Sequence, residues 1–138
     1  MPPLRAEKDG KALIKGLKDG TIDFVTSDHI PMNIEEKRVE FDNAAYGSIG
    51  LESAFGTLNR LFDTETAVQL LTKGRERYGI KSPEIKEGEP ACLTLFNPEG
   101  TSVFNMENIL STSKNSMFLE SELKGSVYGS INNGQIEL

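Results

Sequence analysis

Apolar and polar positions follow a helical period over residues 5–19: Leu13, Ile14 and Leu17 share one face, and Lys8, Lys11, Lys15 and Lys18 fall mostly on the other. Asp19-Gly20 closes this helix, because glycine takes a left-handed C-cap without steric cost. The next run, Ile22-Asp23-Phe24-Val25-Thr26, is β-branched and aromatic-rich and predicts a short buried strand. A helix feeding a strand through a tight glycine turn is the second half of a β/α unit.

Ser27-Asp28-His29-Ile30-Pro31-Met32 reads as a polar loop stiffened by proline, and Glu35-Glu36-Lys37-Arg38 as a short solvated helical turn. After a small-residue loop with Gly47 and Gly50, the positions Leu51, Ala54, Phe55, Leu58, Leu61 and Phe62 recur at helical spacing. Asp63-Thr64 predicts the cap of a further helix through about Tyr78, stopped by Gly79. Near Ser82 the pattern changes to turns and β-formers, with strands expected over residues 91–96 and 126–131 and a turn at Asn97-Pro98-Glu99-Gly100. Asn132-Asn133-Gly134 before Gln135-Ile136-Glu137-Leu138 is a hairpin signal, since a type I′ turn needs positive φ at both central residues. The chain divides on this reading at residue 81, with β/α character in 1–81 and β-rich character in 82–138.

Composition narrows the classes. With 138 residues, 37% hydrophobic and 26% charged, the chain has the make-up of one folded domain rather than a disordered segment. A net charge of −6 argues against nucleic acid and anionic membrane as partners. There is no apolar run long enough to span a bilayer, and the first residues lack the apolar core of a signal peptide. The single cysteine excludes an internal disulfide and fits a cytoplasmic protein. The single histidine excludes a His-rich zinc site.

The candidate chemistry centres on Asp28. It stands where the expected strand ends, the place at which β/α folds present reacting groups. A carboxylate there can bind a divalent metal or take a proton from metal-bound water, or it can close an Asx-turn on loop amides. His29 next to it reads as a hydrogen-bonding structural residue. Glu35, Glu36 and Glu40 read as a solvated face, Cys92 as a buried thiol without a basic neighbour, and Phe55, Leu58 and Phe62 as core or interface. Gly47 and Gly50 lack phosphate-loop spacing, but they would let backbone N–H groups approach a carboxylate ligand.

The series Pro2-Pro3-Leu4-Arg5, Ala12 to Asp23, Ser27-Asp28-His29-Ile30-Pro31, Glu35-Glu36-Lys37, Val39-Glu40-Phe41, Gly47-Ser48-Ile49-Gly50-Leu51-Glu52, Leu93-Thr94-Leu95-Phe96-Asn97-Pro98 and Leu123-Lys124-Gly125-Ser126-Val127-Tyr128 resembles the C-terminal third of the dihydroorotases, in the amidohydrolase superfamily. The resemblance implies an α/β fold: the last β/α units of a (β/α)8 barrel in 1–81 and strands of an attached small β-sandwich in 82–138. A whole barrel takes about 250 residues, so this length suits only its last portion. Implied with it are zinc, hydrolysis of the dihydroorotate ring to carbamoyl aspartate in pyrimidine biosynthesis, and a homo-oligomer. The same resemblance makes Asp28 the metal-binding and proton-shuttling aspartate and puts substrate against the backbone of Ala45, Tyr46 and Gly47. Two positions depart from it. Met32 stands where many members carry a substrate-binding histidine, and Cys92 stands in place of an aspartate. The family's His-X-His pair and bridging lysine are absent from these 138 residues. Met32 therefore leaves a second expectation open, a non-catalytic relative that supports aspartate carbamoyltransferase assembly.

Overall fold

The computed structural model describes residue 4 and residues 6–138; Pro2, Pro3 and Arg5 of the resemblance, and the expected helix start at residue 5, lie outside them. The amphipathic pattern forms α1 (Glu7–Asp19), whose first turn is held by the Asp9 carboxylate accepting from the Ala6 N–H at 3.1 Å. The chain then bends at Ile22 and runs without regular secondary structure through residues 23–26, joining no sheet there. The expected strand is thus corrected to an irregular segment. Parallel strands are stabilised by neighbours on their edges, and here the Val25 N–H instead donates to the Leu70 carbonyl at 2.9 Å. Its apolar residues pack on helices.

The solvated turn is α2 (Ile34–Lys37), where the Glu36 carboxylate accepts from the Asn33 N–H at 3.0 Å. The strongest apolar stripe becomes α3 (Leu51–Leu61). Asp63 caps α4 (Thr64–Thr72) by accepting from the Thr66 N–H at 3.0 Å. The single helix expected to Tyr78 is interrupted at Lys73, and α5 (Gly74–Arg77) completes it. Gly74 lies against the Phe24 ring, where an added Cβ would come within 3.1 Å.

Three antiparallel strands follow in the order β1 (Cys92–Phe104), β2 (Ser121–Asn132) and β3 (Gln135–Glu137). Asn133 and Gly134 make the expected hairpin turn, at φ 50° and 77°. The turn expected at Asn97-Pro98-Glu99-Gly100 is a bulge inside β1 instead. Pairing resumes at Thr101 with Lys124, so that three residues of β1 oppose Gly125 alone. Sequence composition marks a break in pairing there; the continuing partner strand turns it into a bulge. Asn59 of α3 pins it, donating to the Pro98 carbonyl at 2.8 Å and to the Lys124 carbonyl at 3.1 Å.

Two apolar clusters meet along α3. Leu58, Ala67 and Leu70 pack with Leu17, Val25 and Phe62; Ile49, Phe104, Ile109 and Leu123 pack with Phe118 and Leu119. Gly56 permits the approach of the sheet, since a Cβ at this position would fall 2.7 Å from that of Leu123. Phe55 stacks edge-on against Phe96 at 4.8 Å between ring centres.

Two predictions follow from this packing. Leu123→Ala costs about 2–5 kcal/mol in urea denaturation, as expected of a buried leucine that leaves a cavity, whereas Leu110→Ala, at a side chain 91% exposed, costs less than about 0.5 kcal/mol. Hydrogen bonds from the Thr66 N–H and hydroxyl hold the Asp63 carboxyl below its ordinary 3.8. Its stabilising contribution is full above the unfolded value and is lost as pH falls through the lower folded one. Thermal melts below about pH 5 therefore show a smaller acid-dependent loss in Asp63→Asn, which keeps a cap acceptor, than in the parent chain.

Candidate active site

Two extended segments come together at the N-terminal end of α3. His29 and Ser48 form a parallel bridge, with the Ile30 N–H donating to the Ser48 carbonyl at 3.0 Å. Asp28 and Gly47 each lie one residue before the bridged pair. The bridge therefore carries the proposed proton-handling residue alongside the last of the three residues expected to meet substrate.

Asp28 is exposed and adopts φ 44°, a left-handed conformation that aspartate and asparagine take more readily than other residues besides glycine. The turn separates it from its neighbour. His29 points to α3, and its Nδ1 accepts from the N–H groups of Gly50 and Leu51 at 3.2 and 3.3 Å. These are two of the donors that a helix start leaves without partners within the helix. The histidine ties the loop to the helix, as the structural reading of the residue expected.

On the opposite segment Lys37 donates to the carbonyls of Ala45 and Gly47 at 2.7 and 2.6 Å, and the Ala45 N–H donates to Glu36 at 3.0 Å. The backbone polar groups of Ala45 are thereby occupied within the chain. Tyr46 projects with 83% of its surface exposed. Gly47 sits at φ 130° against Ile30, whose Cγ2 would be 2.7 Å from an added Cβ, so only glycine allows the two segments this approach.

A third segment, 81 to 85 positions beyond the residues it meets in the Asp28 loop, closes the site from behind. The Asn115 side chain accepts from the Met32 N–H at 3.2 Å and donates to the Ile30 carbonyl at 3.1 Å and the Gly47 carbonyl at 3.5 Å, while its backbone carbonyl accepts from the Ile49 N–H at 3.2 Å. The Ser113 hydroxyl donates to the Met32 carbonyl at 3.0 Å. Glu52 in the first turn of α3 accepts from the Leu110 and Ser111 N–H groups at 2.7 and 2.9 Å. Sequence reasoning missed Asn115, Ser113, Glu52 and Lys37 as site-supporting residues. Isolated polar residues in turn-rich sequence carry no periodicity that would single them out.

Among the described residues no three His, Cys, Asp or Glu side chains are grouped to hold a metal. Asp28 offers one ligand and His29 has its Nδ1 engaged, whereas catalytic zinc takes three protein ligands. The residues present do not by themselves fit a zinc site. Glu35, Glu36 and Glu40 are exposed, away from any such cluster. Cys92 is half-buried and, against expectation, has a basic neighbour: the Arg75 guanidinium lies 3.6 Å from its sulfur. Pairing β1 beside α5 brings the two together across 17 residues.

No protein-family model matches the chain. The dihydroorotase of Caldicellulosiruptor saccharolyticus is 42% identical over 142 residues, and that of Desulforapulum autotrophicum 39% over 140, each alignment covering 98% of this chain. By sequence, this chain is a relative of the dihydroorotases. It spans about a third of their length, 33% in both cases. The fold is that of the hydantoinases: D-hydantoinase (dihydropyrimidinase) from Thermus sp. superposes with a TM-score of 0.83 and dihydropyrimidinase from Brevibacillus agri with 0.84. Both are 23% identical to this chain, and each superposition covers 98% of it and 32% of the solved chain. No helix among the described residues is long and apolar enough to cross a membrane.

The histidine tie is testable by itself. Denaturation in urea shows His29→Ala less stable by about 1 kcal/mol, the value of a hydrogen-bond acceptor lost from amide donors. His29→Asn, whose carboxamide oxygen can reach the same amides, recovers part of the loss.

Proposed function

We propose that the chain is the last portion of a (β/α)8 amidohydrolase barrel with strands of its attached small β-sandwich, divided near residue 81, and that the whole protein is a dihydroorotase-like cyclic amidohydrolase. The observation that carries this reading is the 39–42% identity to dihydroorotases over 98% of the chain. The reaction is the reversible opening of the dihydroorotate ring: water adds at the ring amide carbonyl, the C–N bond breaks, and the freed nitrogen is protonated to give carbamoyl aspartate. Asp28 takes the proton from the attacking water and returns it to the leaving nitrogen, a role for which its exposed, loop-end position is suited. Substrate rests against the segment of Ala45, Tyr46 and Gly47. Zinc is the metal of the whole protein, with Asp28 as one ligand; the other ligands lie outside these residues. The 138 residues alone are inactive on this reading.

Large apolar side chains left exposed support a chain that needs further polypeptide around it. Phe41 is 92% exposed, and Leu51, Tyr78, Ile85 and Leu138 are exposed as well. The proposed protein is a cytoplasmic homo-oligomer acting on a small molecule, a setting that suits a lone, half-buried thiol. Met32 favours a second reading, a non-catalytic subunit that supports aspartate carbamoyltransferase assembly. A thioether cannot supply the hydrogen bond and charge that a substrate carboxylate takes from histidine.

The deciding experiment measures dihydroorotate hydrolysis and zinc content on one sample of the longest natural polypeptide that contains these 138 residues. Activity with bound zinc is expected, and Asp28→Asn lowers kcat by about 10²–10⁴-fold, the range for loss of a general acid–base group. A zinc-free, inactive wild type supports the subunit reading instead. Size-exclusion chromatography with light scattering on the 138 residues alone shows self-association through their exposed apolar surface; a compact dilute monomer counts against the reading as a barrel portion.

A further inference from the structure

We infer that Asn115 is a positioning residue that holds the Asp28 loop and the loop of residues 45–47 in a single arrangement. Its side-chain amide stands in for a peptide group of a neighbouring strand. It accepts from the N–H of Met32 and donates to the carbonyl of Ile30, the two groups that flank one residue on a strand edge and that a parallel partner would take. The same NH₂ reaches the Gly47 carbonyl at 3.5 Å, and the Asn115 backbone carbonyl accepts from the Ile49 N–H. One residue thus joins both segments, from 66 to 85 positions away in sequence.

Its neighbours extend the contact. Ser113 donates to the Met32 carbonyl at 3.0 Å, and the Met117 N–H donates to the Ser48 hydroxyl at 2.9 Å. The segment from Ser113 to Met117 is therefore wedged between the two loops. Asp28 lies two residues before Ile30, at positive φ. Among the described residues its carboxylate takes part in none of the hydrogen bonds that fix the loop. The direction of that carboxylate is accordingly set through the backbone that follows it, by His29 and by Asn115 at Ile30 and Met32. Only a carboxamide satisfies this position, because it must accept once and donate twice from a planar group. An aspartate there keeps the shape and the acceptor, but loses both donated bonds and sets a negative charge against two carbonyl oxygens.

The inference rests on the hydrolase reading of the Asp28 site, and the test separates the two. Asn115→Asp is compared with the wild type in the longest natural polypeptide that contains these residues, by steady-state kinetics on dihydroorotate and by amide hydrogen exchange. The expected result is a fall in kcat of about 10²-fold, the cost of misplacing a reacting group by about an ångström. Exchange at Ile30, Met32 and Ile49 rises about tenfold or more, while the amides of α4 keep their wild-type rates. Ser113→Ala, which removes one hydrogen bond at the edge of the contact, gives a smaller rise confined to the Ile30 and Met32 side, and it serves if Asn115→Asp does not fold. Wild-type kcat and wild-type loop exchange in Asn115→Asp overturn the inference. So does uniform acceleration that includes α4, which marks a contribution to global stability only. A wild-type polypeptide without hydrolase activity, whose loop exchange still responds to Asn115→Asp, overturns the hydrolase reading and leaves the two-loop clamp standing.

Discussion

Helix α3 organises the molecule because each turn of it meets a different part of the chain. Its N-terminal amides reach His29, Glu52 in its first turn holds the amides of Leu110 and Ser111, and Gly56 lets β2 approach. One turn later Asn59 holds the β1 bulge, and Arg60 donates to the Glu122 carbonyl at 3.0 Å. A side chain at position 56 would force the sheet outward, so the distance between helix and sheet is set by a missing methyl group. One apolar cluster includes Leu58 of this helix, the other meets it where Leu123 lies against Gly56, and the candidate site lies at its beginning.

That arrangement explains how a small core positions a loop. Few apolar side chains are fully buried, and much of the specific geometry comes from polar contacts between distant segments. Asn59 is almost completely buried, yet fully used: its amide donates to two carbonyls and its oxygen accepts from the Thr64 hydroxyl at 2.8 Å. Buried polar groups of this kind contribute little net energy when paired and are costly when unpaired. They select one arrangement among several that apolar packing alone would permit.

The segments bearing Asp28 and Gly47 are short, exposed in part and paired only with each other through a single bridge, so they could not hold a shape by themselves. The helix N-terminus and the Ser113 to Met117 segment supply the hydrogen bonds that strand neighbours would otherwise give. The Asp28 carboxylate then stands exposed and without a hydrogen-bond partner among the described residues, which leaves it available for the proton transfer proposed above.

What the sequence by itself determined are the features that depend on neighbours in the chain: the amphipathic faces of α1 and α3, the Asp63 cap, the Asn133-Gly134 turn and the family resemblance around Asp28. Each rests on periodicity or on local backbone chemistry, which residues within a few positions decide. Tertiary structure alone decided the rest. Residues 22–26 have strand composition but form no strand, because pairing requires a neighbouring edge and the Val25 N–H is taken by the Leu70 carbonyl instead. The turn at Asn97-Pro98-Glu99-Gly100 became a bulge because β2 continues opposite it. Cys92 gained the Arg75 guanidinium by strand placement, and Asn115 acquired its place between two loops through contacts spanning up to 85 residues. A hydrogen bond between such distant residues leaves no periodic trace in the chain that makes it.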